Sequence, residues 1–261
     1  MIFLNQTEAE QAIQNIPVRP HLVYIDPPFN TGKLQKGTQG AYEDSFPSHA
    51  AYIDWLSKIV ALIRNTLAED GSFFLHLDPR EVHYAKVACD AIFGRSCFQN
   101  EIIWAYDYGG RTKSKWSAKH DNILWYSLHP TKYTYNYDAI DRVPYMAPGL
   151  VGPEKAAKGK TPTDTWWHTI VPTQGKERVG YPTQKPLGVL SRIISVHTNP
   201  GDVVLDCFAG SGTTGVAAAE VGRVSFMSDK SPQAVAVIQN RCETRGIPCL
   251  PWESYLPLVG V

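Results

Sequence analysis

The sequence predicts an α/β sheet protein, and three observations carry that prediction. Short apolar runs alternate with longer stretches whose apolar residues recur at helical spacing. One apolar run, Val203-Val204-Leu205-Asp206, leads through a glycine loop into a helix-like segment. Another, His21-Leu22-Val23-Tyr24-Ile25, stops at Asp26-Pro27-Pro28.

In chain order, His21 to Ile25 reads as a buried strand. Ala51 to Leu67 reads as a helix, because Ile53, Leu56, Ile59, Val60, Ile63 and Leu67 fall on one face. Asp70-Gly71 is a turn, Ser72 to Leu77 a strand, and Val82 to Ile92 a helix with Gly94 near its end. Glu101 to Tyr106 and Asn122 to Ser127 are rich in β-branched and aromatic residues and read as two strands. From about His129 to Gly180 the chain is rich in Pro, Gly and Thr and shows no period; so long an irregular stretch is usually functional or disordered. Order returns with a helix at Leu187 to His197, the strand ending at Asp206, a helix near Thr214 to Val221, a strand from Arg223 to Met227, and a helix near Gln233 to Arg245. The tail after Gly246 holds three prolines and is expected to pack as coil.

At 261 residues the chain can bury a large core, and one domain is the simplest count. Hydrophobic residues at 43% and charged residues at 19% are ordinary for a soluble globular protein. Net charge is zero, so a nucleic-acid partner would need a local basic surface. No apolar run reaches the roughly 18–20 residues that span a bilayer, and the start turns polar too soon for a signal peptide. Five cysteines without a CxxC pair fit a reducing cytoplasm rather than a disulfide framework, and the scattered histidines predict no metal.

The glycine loop, Asp206-Cys207-Phe208-Ala209-Gly210-Ser211-Gly212-Thr213, sits where a nucleotide-like ligand can approach the backbone closely. Asp229 closes the next strand, where a carboxylate can accept from ribose hydroxyls. Gly210 to Gly215 also satisfies G-x-G-x-x-G, so a dinucleotide reading has to be weighed. Only 46 residues follow Gly215, too few for a full dinucleotide fold built from that point. Asp206 would repel a pyrophosphate but attract a cationic aminoacyl group. S-adenosylmethionine is therefore preferred over NAD, and a bare strand–helix turn is the plain alternative.

Asp26-Pro27-Pro28-Phe29 poses a different chemistry. The prolines fix a rigid backbone at the end of a strand, presenting a carboxylate, a carbonyl and an aromatic ring. An exocyclic amine on a base is a poor nucleophile because its lone pair is delocalised into the ring. Two acceptors, the Asp26 carboxylate and the Pro27 carbonyl, could hold both N–H groups and aim the lone pair at a methyl donor, while Phe29 stacks on an extruded base. Alone, a DPP run is often just a strand-ending turn; paired with the glycine loop it gains meaning.

Together these motifs resemble the β-type order of the DNA amino-methyltransferases, which modify adenine N6 or cytosine N4. The resemblance rests on Tyr24 to Lys33, Tyr181-Pro182-Thr183-Gln184-Lys185-Pro186, and Asp206 to Thr214. It implies a Rossmann-like class I methyltransferase fold: a seven-stranded, mostly parallel sheet, circularly permuted, with the late hairpin supplied by Glu101 to Ser127. It implies that Thr183, Gln184, Lys185 and Pro186 help seat the methionine end of S-adenosylmethionine, that Phe208 and the Gly210–Gly212 backbone line its pocket, and that Asp229 binds its ribose. It assigns 1–128 and 181–261 to the catalytic domain and 129–180, with the basic loop 107–121, to target recognition. The partners implied are double-stranded DNA, with a homodimer and a cognate restriction endonuclease compatible with the family. Adenine N6 is preferred because DPPF is the commoner adenine form; methylation of RNA or a protein amide, and an inactive DNA-binding module, are the competing readings. Three departures stand out: Cys207 for a usual Pro, Ser228 for a usual apolar residue, and Asn5-Gln6 for a usual Gly-Asp, which puts an adenine contact in doubt.

Between Ala105 and Lys185 twelve Lys/Arg face seven acids, an excess of five in an otherwise neutral chain. Arg111, Lys113, Lys115 and Lys119 are the expected phosphate contacts, with a solvated basic loop as the plain alternative. Trp166-Trp167 is expected to pack a loop. His76 and Asp78 could line the site's edge or be internally satisfied. Pro248-Cys249, although reminiscent of a nucleophilic Pro-Cys, lies far from any site motif.

Overall fold

The computed structural model describes residues 1–259. The chain opens with β1 (Ile2–Gln6), α1 (Ala9–Asn15), β2 (Leu22–Ile25), the hairpin β3 (Lys33–Gly37) and β4 (Gly40–Asp44), α2 (His49–Thr66), β5 (Ser72–Leu77), α3 (Val82–Phe93), β6 (Phe98–Ala105) and β7 (His120–Ser127). A largely irregular stretch carries α4 (Pro153–Lys158) and β8 (Thr165–Trp167). Then come α5 (Leu187–His197), β9 (Val203–Asp206), α6 (Thr213–Glu220), β10 (Val224–Asp229), α7 (Pro232–Arg245), β11 (Cys249–Leu250) and α8 (Tyr255–Val259).

The main sheet runs β11-β1-β10-β9-β2-β5-β7-β6-β8. β7 is antiparallel to both neighbours and every other pairing is parallel. The seven central strands are those the resemblance implied, and 98–127 forms the late hairpin. Two short edge strands were not foreseen. β11 pairs with β1 through Ile2↔Cys249, so the tail is not plain coil, and β8 pairs with β6 through Trp104↔Trp166. The β3–β4 hairpin also escaped the sequence reading; its polar strands lie outside the main sheet.

Helices cover both faces, which is why the central strands are apolar throughout. Val23 and Ile25 pack with α1, α2 and α3 residues such as Ala12, Leu56, Ile59 and Ala85. Leu22 and Tyr24 point the other way, toward Leu190, Ile194 and Ala217 of α5 and α6. Ser48 and Ser231 cap α2 and α7 by accepting from the amides of Ala51 and Ala234.

β9, from late in the chain, lies beside β2, from early in it, with Leu22 opposite Val204 and Val23 opposite Leu205. From this seam the connections run outward in opposite directions, to β5 on one side and β10 on the other. Such a switch point leaves a crevice beyond the strands' carboxyl ends. Asp26 directly follows β2 and Asp206 closes β9, so the two sequence motifs flank that crevice.

Candidate active site

Two hollows share the Asp26 side. The deeper, of about 350 Å3, is lined by the glycine loop from Asp206 to Ser211, by Asp229, and by Phe46 and Trp55, the latter packed edge-on against Phe208. The wider groove, of about 700 Å3, is lined by Phe29, Trp104, Tyr106, Asp78 and Asp121. Asp26, Tyr42 and Tyr181–Lys185 line both.

The deeper cavity is built for a cation. Six carboxylates (Glu8, Glu10, Asp26, Glu43, Asp206, Asp229) line it against two lysines (Lys185, Lys230). Asp206 is buried; its Oδ2 accepts from the Thr214 hydroxyl at 2.6 Å and its Oδ1 from the Phe208 amide at 3.0 Å. Burial nonetheless pushes its carboxyl up to about 7, outweighing those two hydrogen bonds. Asp229 is raised as well, by burial, although it accepts from the amides of Gly210 at 2.9 Å and Ser231 at 2.8 Å. Two under-compensated carboxylates suit a ligand bearing an ammonium and a sulfonium, and they disfavour a pyrophosphate. The residues present therefore fit S-adenosylmethionine and speak against NAD.

Local backbone makes this possible. Gly210 and Gly212 adopt positive φ (50° and 75°) and fold the chain back from β9 into α6. Gly212 and Pro186 stand behind the wall: Gly212 packs on Ile238, and Pro186 precedes the first turn of α5. Thr213 donates to the Lys185 carbonyl at 3.1 Å, joining the glycine loop to the Thr183–Pro186 segment. The Gln184 amide is engaged by the 177–179 backbone, accepting from Val179 at 2.9 Å and donating to Glu177 at 2.8 Å. Thr183 sits at φ 54° with its hydroxyl 3.1 Å from that of Tyr42.

The groove is aromatic at its floor. Pro27 is buried, and Phe29 stacks on His76 at 6.0 Å. His76 is fully buried, with Nδ1 2.7 Å from the Tyr24 hydroxyl and Nε2 3.1 Å from Asp121 Oδ2. Burial pushes Asp121 up, but the His76 bond, Lys185 and the Tyr106 hydroxyl together hold its carboxyl below the usual carboxylate range. His76 is thus internally satisfied, whereas Asp78 lines the groove and pairs with Arg80. Lys185, read from sequence as a cofactor contact, turns its ammonium to Asp26 at 3.0 Å.

Sequence reasoning missed Tyr42, Trp55, Asp121 and the three glutamates Glu8, Glu10 and Glu43, and it quoted Tyr181 within a motif without giving it a role. Tyr42 and Glu43 stand on the unread hairpin, Glu8 and Glu10 at the start of the equally unread α1, and Trp55 and Asp121 come from segments recognised only as helix and loop. Asn5 and Gln6 line neither hollow; Asn5 Oδ1 accepts from the Trp252 amide at 3.2 Å. Cys207 is buried at the usual Pro position, its thiol raised by burial.

Of the expected DNA contacts, Lys115 lines the groove, while Arg111 and Lys113 are exposed beside it in sequence. Arg111 pairs with Asp107 and Lys119 donates to the Tyr108 carbonyl, so these two are partly engaged within the loop. Trp166 is buried, under the Arg192 guanidinium, but Trp167 is 77% exposed, so only the first tryptophan packs. Among the described residues no cluster of His, Cys, Asp or Glu is arranged for a metal, and no helix is long and apolar enough to cross a membrane.

Comparison with known proteins bears on this geometry. Residues 20–240 match the family model described as DNA methylase, for the N6/N4 methyltransferases. The DNA adenine methyltransferase YhdJ of Escherichia coli (strain K12) is 30% identical over 230 residues, covering 83% of this chain and 74% of that protein. Among solved structures, M1.HpyAVI in complex with SAM superposes with a TM-score of 0.64 at 20% identity, covering 92% of this chain and 98% of that one. The cytosine-N4-specific PvuII DNA methyltransferase does so with a TM-score of 0.69 at 16% identity, covering 92% and 86%. By its family match, its fold and its acidic cofactor cavity, the chain belongs to the S-adenosylmethionine-dependent DNA methyltransferases that modify adenine N6 or cytosine N4.

Proposed function

We propose that this enzyme methylates the exocyclic amine of adenine N6 in double-stranded DNA, after extruding the base into the groove above Phe29. The observation that carries the reading is the position of Asp26, which lines both the cofactor cavity and the aromatic groove. S-adenosylmethionine supplies an electrophilic methyl group when bound. The chain's own part is to seat it and to prepare the nitrogen. Asp206 and Asp229 hold the cationic and hydroxyl-bearing ends, and Phe208 and the glycine-loop backbone shape the wall between them. Asp26 and the Pro27 carbonyl accept the two N–H groups, drawing the nitrogen toward tetrahedral geometry with its lone pair facing the cofactor cavity. Phe29 gives the base a stacking face, and the surrounding protein excludes water, which strengthens each of these contacts.

Adenine is preferred over cytosine on two grounds: the DPPF form of the motif, and 30% identity to a protein named as an adenine methyltransferase. The likeness to a cytosine-N4 enzyme keeps N4 as the second reading. Residues 129–180 and the loop 107–121 read the DNA, with Arg111, Lys113, Lys115 and Lys119 on phosphates. The several type II methyltransferases among the relatives favour a restriction–modification setting with a cognate endonuclease, in the cytoplasm; dimerisation is checked by light scattering.

Modified-base sequencing of DNA from cells expressing the protein tests base and site together, and N4-methylcytosine without N6-methyladenine would refute the adenine assignment. Asp26→Ala is expected to lower turnover at least a thousandfold, on the order of one missing transition-state hydrogen bond plus misorientation, while calorimetry finds cofactor binding largely intact. Unchanged turnover would sink the mechanism.

A further inference from the structure

Asp26 already faces a cation from its own chain. Lys185 Nζ stands 3.0 Å from Asp26 Oδ1 and 4.8 Å from the centre of the Phe29 ring. The lysine is only 9% exposed, and Asp26 Oδ1 is buried without an aligned hydrogen-bond donor. A nitrogen cation thus occupies the place, defined by one carboxylate and one ring face, that the proposed mechanism gives to the target amine. The two compete for Asp26 Oδ1 and the ring face beside it. An ammonium left there would also oppose the positive charge that grows on the amine as it is methylated.

A second seat lies close by. Asp121 Oδ2 is 4.0 Å from the same Nζ, so a shift of about 1 Å brings the lysine within hydrogen-bond reach. Asp121 is fixed for that purpose from two sides. Its Oδ2 is 3.1 Å from His76 Nε2, and its Oδ1 accepts from the Tyr106 hydroxyl at 3.0 Å. His76 is itself held by Tyr24 at 2.7 Å, and neither ring is solvent-exposed. The carboxylate therefore stays where it is while the flexible lysine moves.

We propose that Lys185 is a displaceable stand-in for the target amine, holding Asp26 until the base arrives and then passing to Asp121. Asp121 is then a positioning residue that acts through Lys185. The inference rests on the amine-transfer reading above: sequencing that finds no methylated amine would overturn both, whereas the binding comparison below can overturn this inference while that reading stands.

The test uses the full chain with S-adenosylhomocysteine, which permits no turnover, and two duplexes carrying the site found by sequencing. One has the natural target base; the other lacks only its exocyclic amine (purine for adenine, or pyrimidin-2-one for cytosine). The ratio of their dissociation constants isolates the amine's contact, since damage to the fold or to phosphate contacts weakens both duplexes alike. Lys185→Met, which removes the competitor, is expected to raise the preference for the amine about tenfold, the scale of one charge-assisted hydrogen bond. Asp121→Asn, which removes the second seat, is expected to lower it toward one. In the double variant the preference should match that of Lys185→Met. An unchanged or reduced preference in Lys185→Met, or an Asp121→Asn effect that persists without the lysine, would overturn the proposal. Should Lys185→Met bind neither duplex, an unaltered ratio in Asp121→Asn overturns it alone.

Discussion

Asp206 shows how one residue's surroundings set the conditions under which the site works. Its carboxyl is pushed up to about 7 by burial, so the cofactor-free protein releases this proton only near neutrality. The unfolded chain releases it near the ordinary Asp value of about 3.9. Between those values the folded state holds more protons than the unfolded one, so this group's contribution to stability falls as pH rises from about 4 to about 7. A cationic ligand prefers the ionised carboxylate, so its affinity should rise over the upper part of the same window. Thermal melts from pH 5 to 8 should show the gap between cofactor-bound and cofactor-free protein widening, and Asp206→Asn should flatten that trend. A gap independent of pH would separate Asp206 from the cofactor. Sequence alone suggested a carboxylate beside a cation here; the raised carboxyl arises from burial among neighbours far apart in the chain.

At the scale of elements, the glycine loop and the Asp-Pro-Pro turn do comparable work by different means. Prolines hold Asp26 by limiting the backbone, whereas Gly210 and Gly212 reach a left-handed conformation that other residues adopt at a cost. A Cβ on Gly212 would lie 2.8 Å from Ile238 Cγ1, on helix α7 behind the loop. Gly212→Ala should therefore lower stability by about 1–3 kcal/mol in denaturant unfolding and weaken cofactor binding, because relief of the clash shifts the loop. Full cofactor affinity in a destabilised variant would show that the loop's position is set elsewhere. Long periodic or apolar segments were legible: Ser72–Leu77, Val203–Asp206 and Leu187–His197 match the expected bounds. The hairpin from Lys33 to Asp44 was not, because its strands are short and largely polar and it is pinned by distant residues. The Gln39 amide, for instance, donates to the Gly180 carbonyl at 3.1 Å. Strands β8 and β11 carry two or three residues each and exist only as pairings to a sheet already formed.

For the molecule as a whole, charge is zero on average but unevenly laid out. The cofactor cavity is acidic, while basic residues collect in the middle of the sequence and reach the groove through Lys115 and Arg178. Binding to DNA should thus be strongly salt-dependent despite the neutral chain. Replacing Arg111, Lys113 and Lys115 together by alanine should flatten the slope of log affinity against log salt, by about 0.9 for each phosphate no longer neutralised. Filter binding across a salt series checks this, and an unchanged slope would move the phosphate contacts off this loop.

The sequence by itself determined the alternation of strand and helix, the class of chemistry and the order of its parts. It could do so because periodicity, prolines, glycines and the residues that begin and end elements act over a few neighbours. Only the tertiary structure decided that Asp26 and Asp206 stand across one crevice, since the pairing of β2 with β9 joins residues about 180 positions apart. It also decided that Lys185 turns toward Asp26, and that Asp121, His76 and Tyr24 form one buried set behind it. Those outcomes depend on which strands pair and which faces the helices cover, and no local pattern in the chain encodes them.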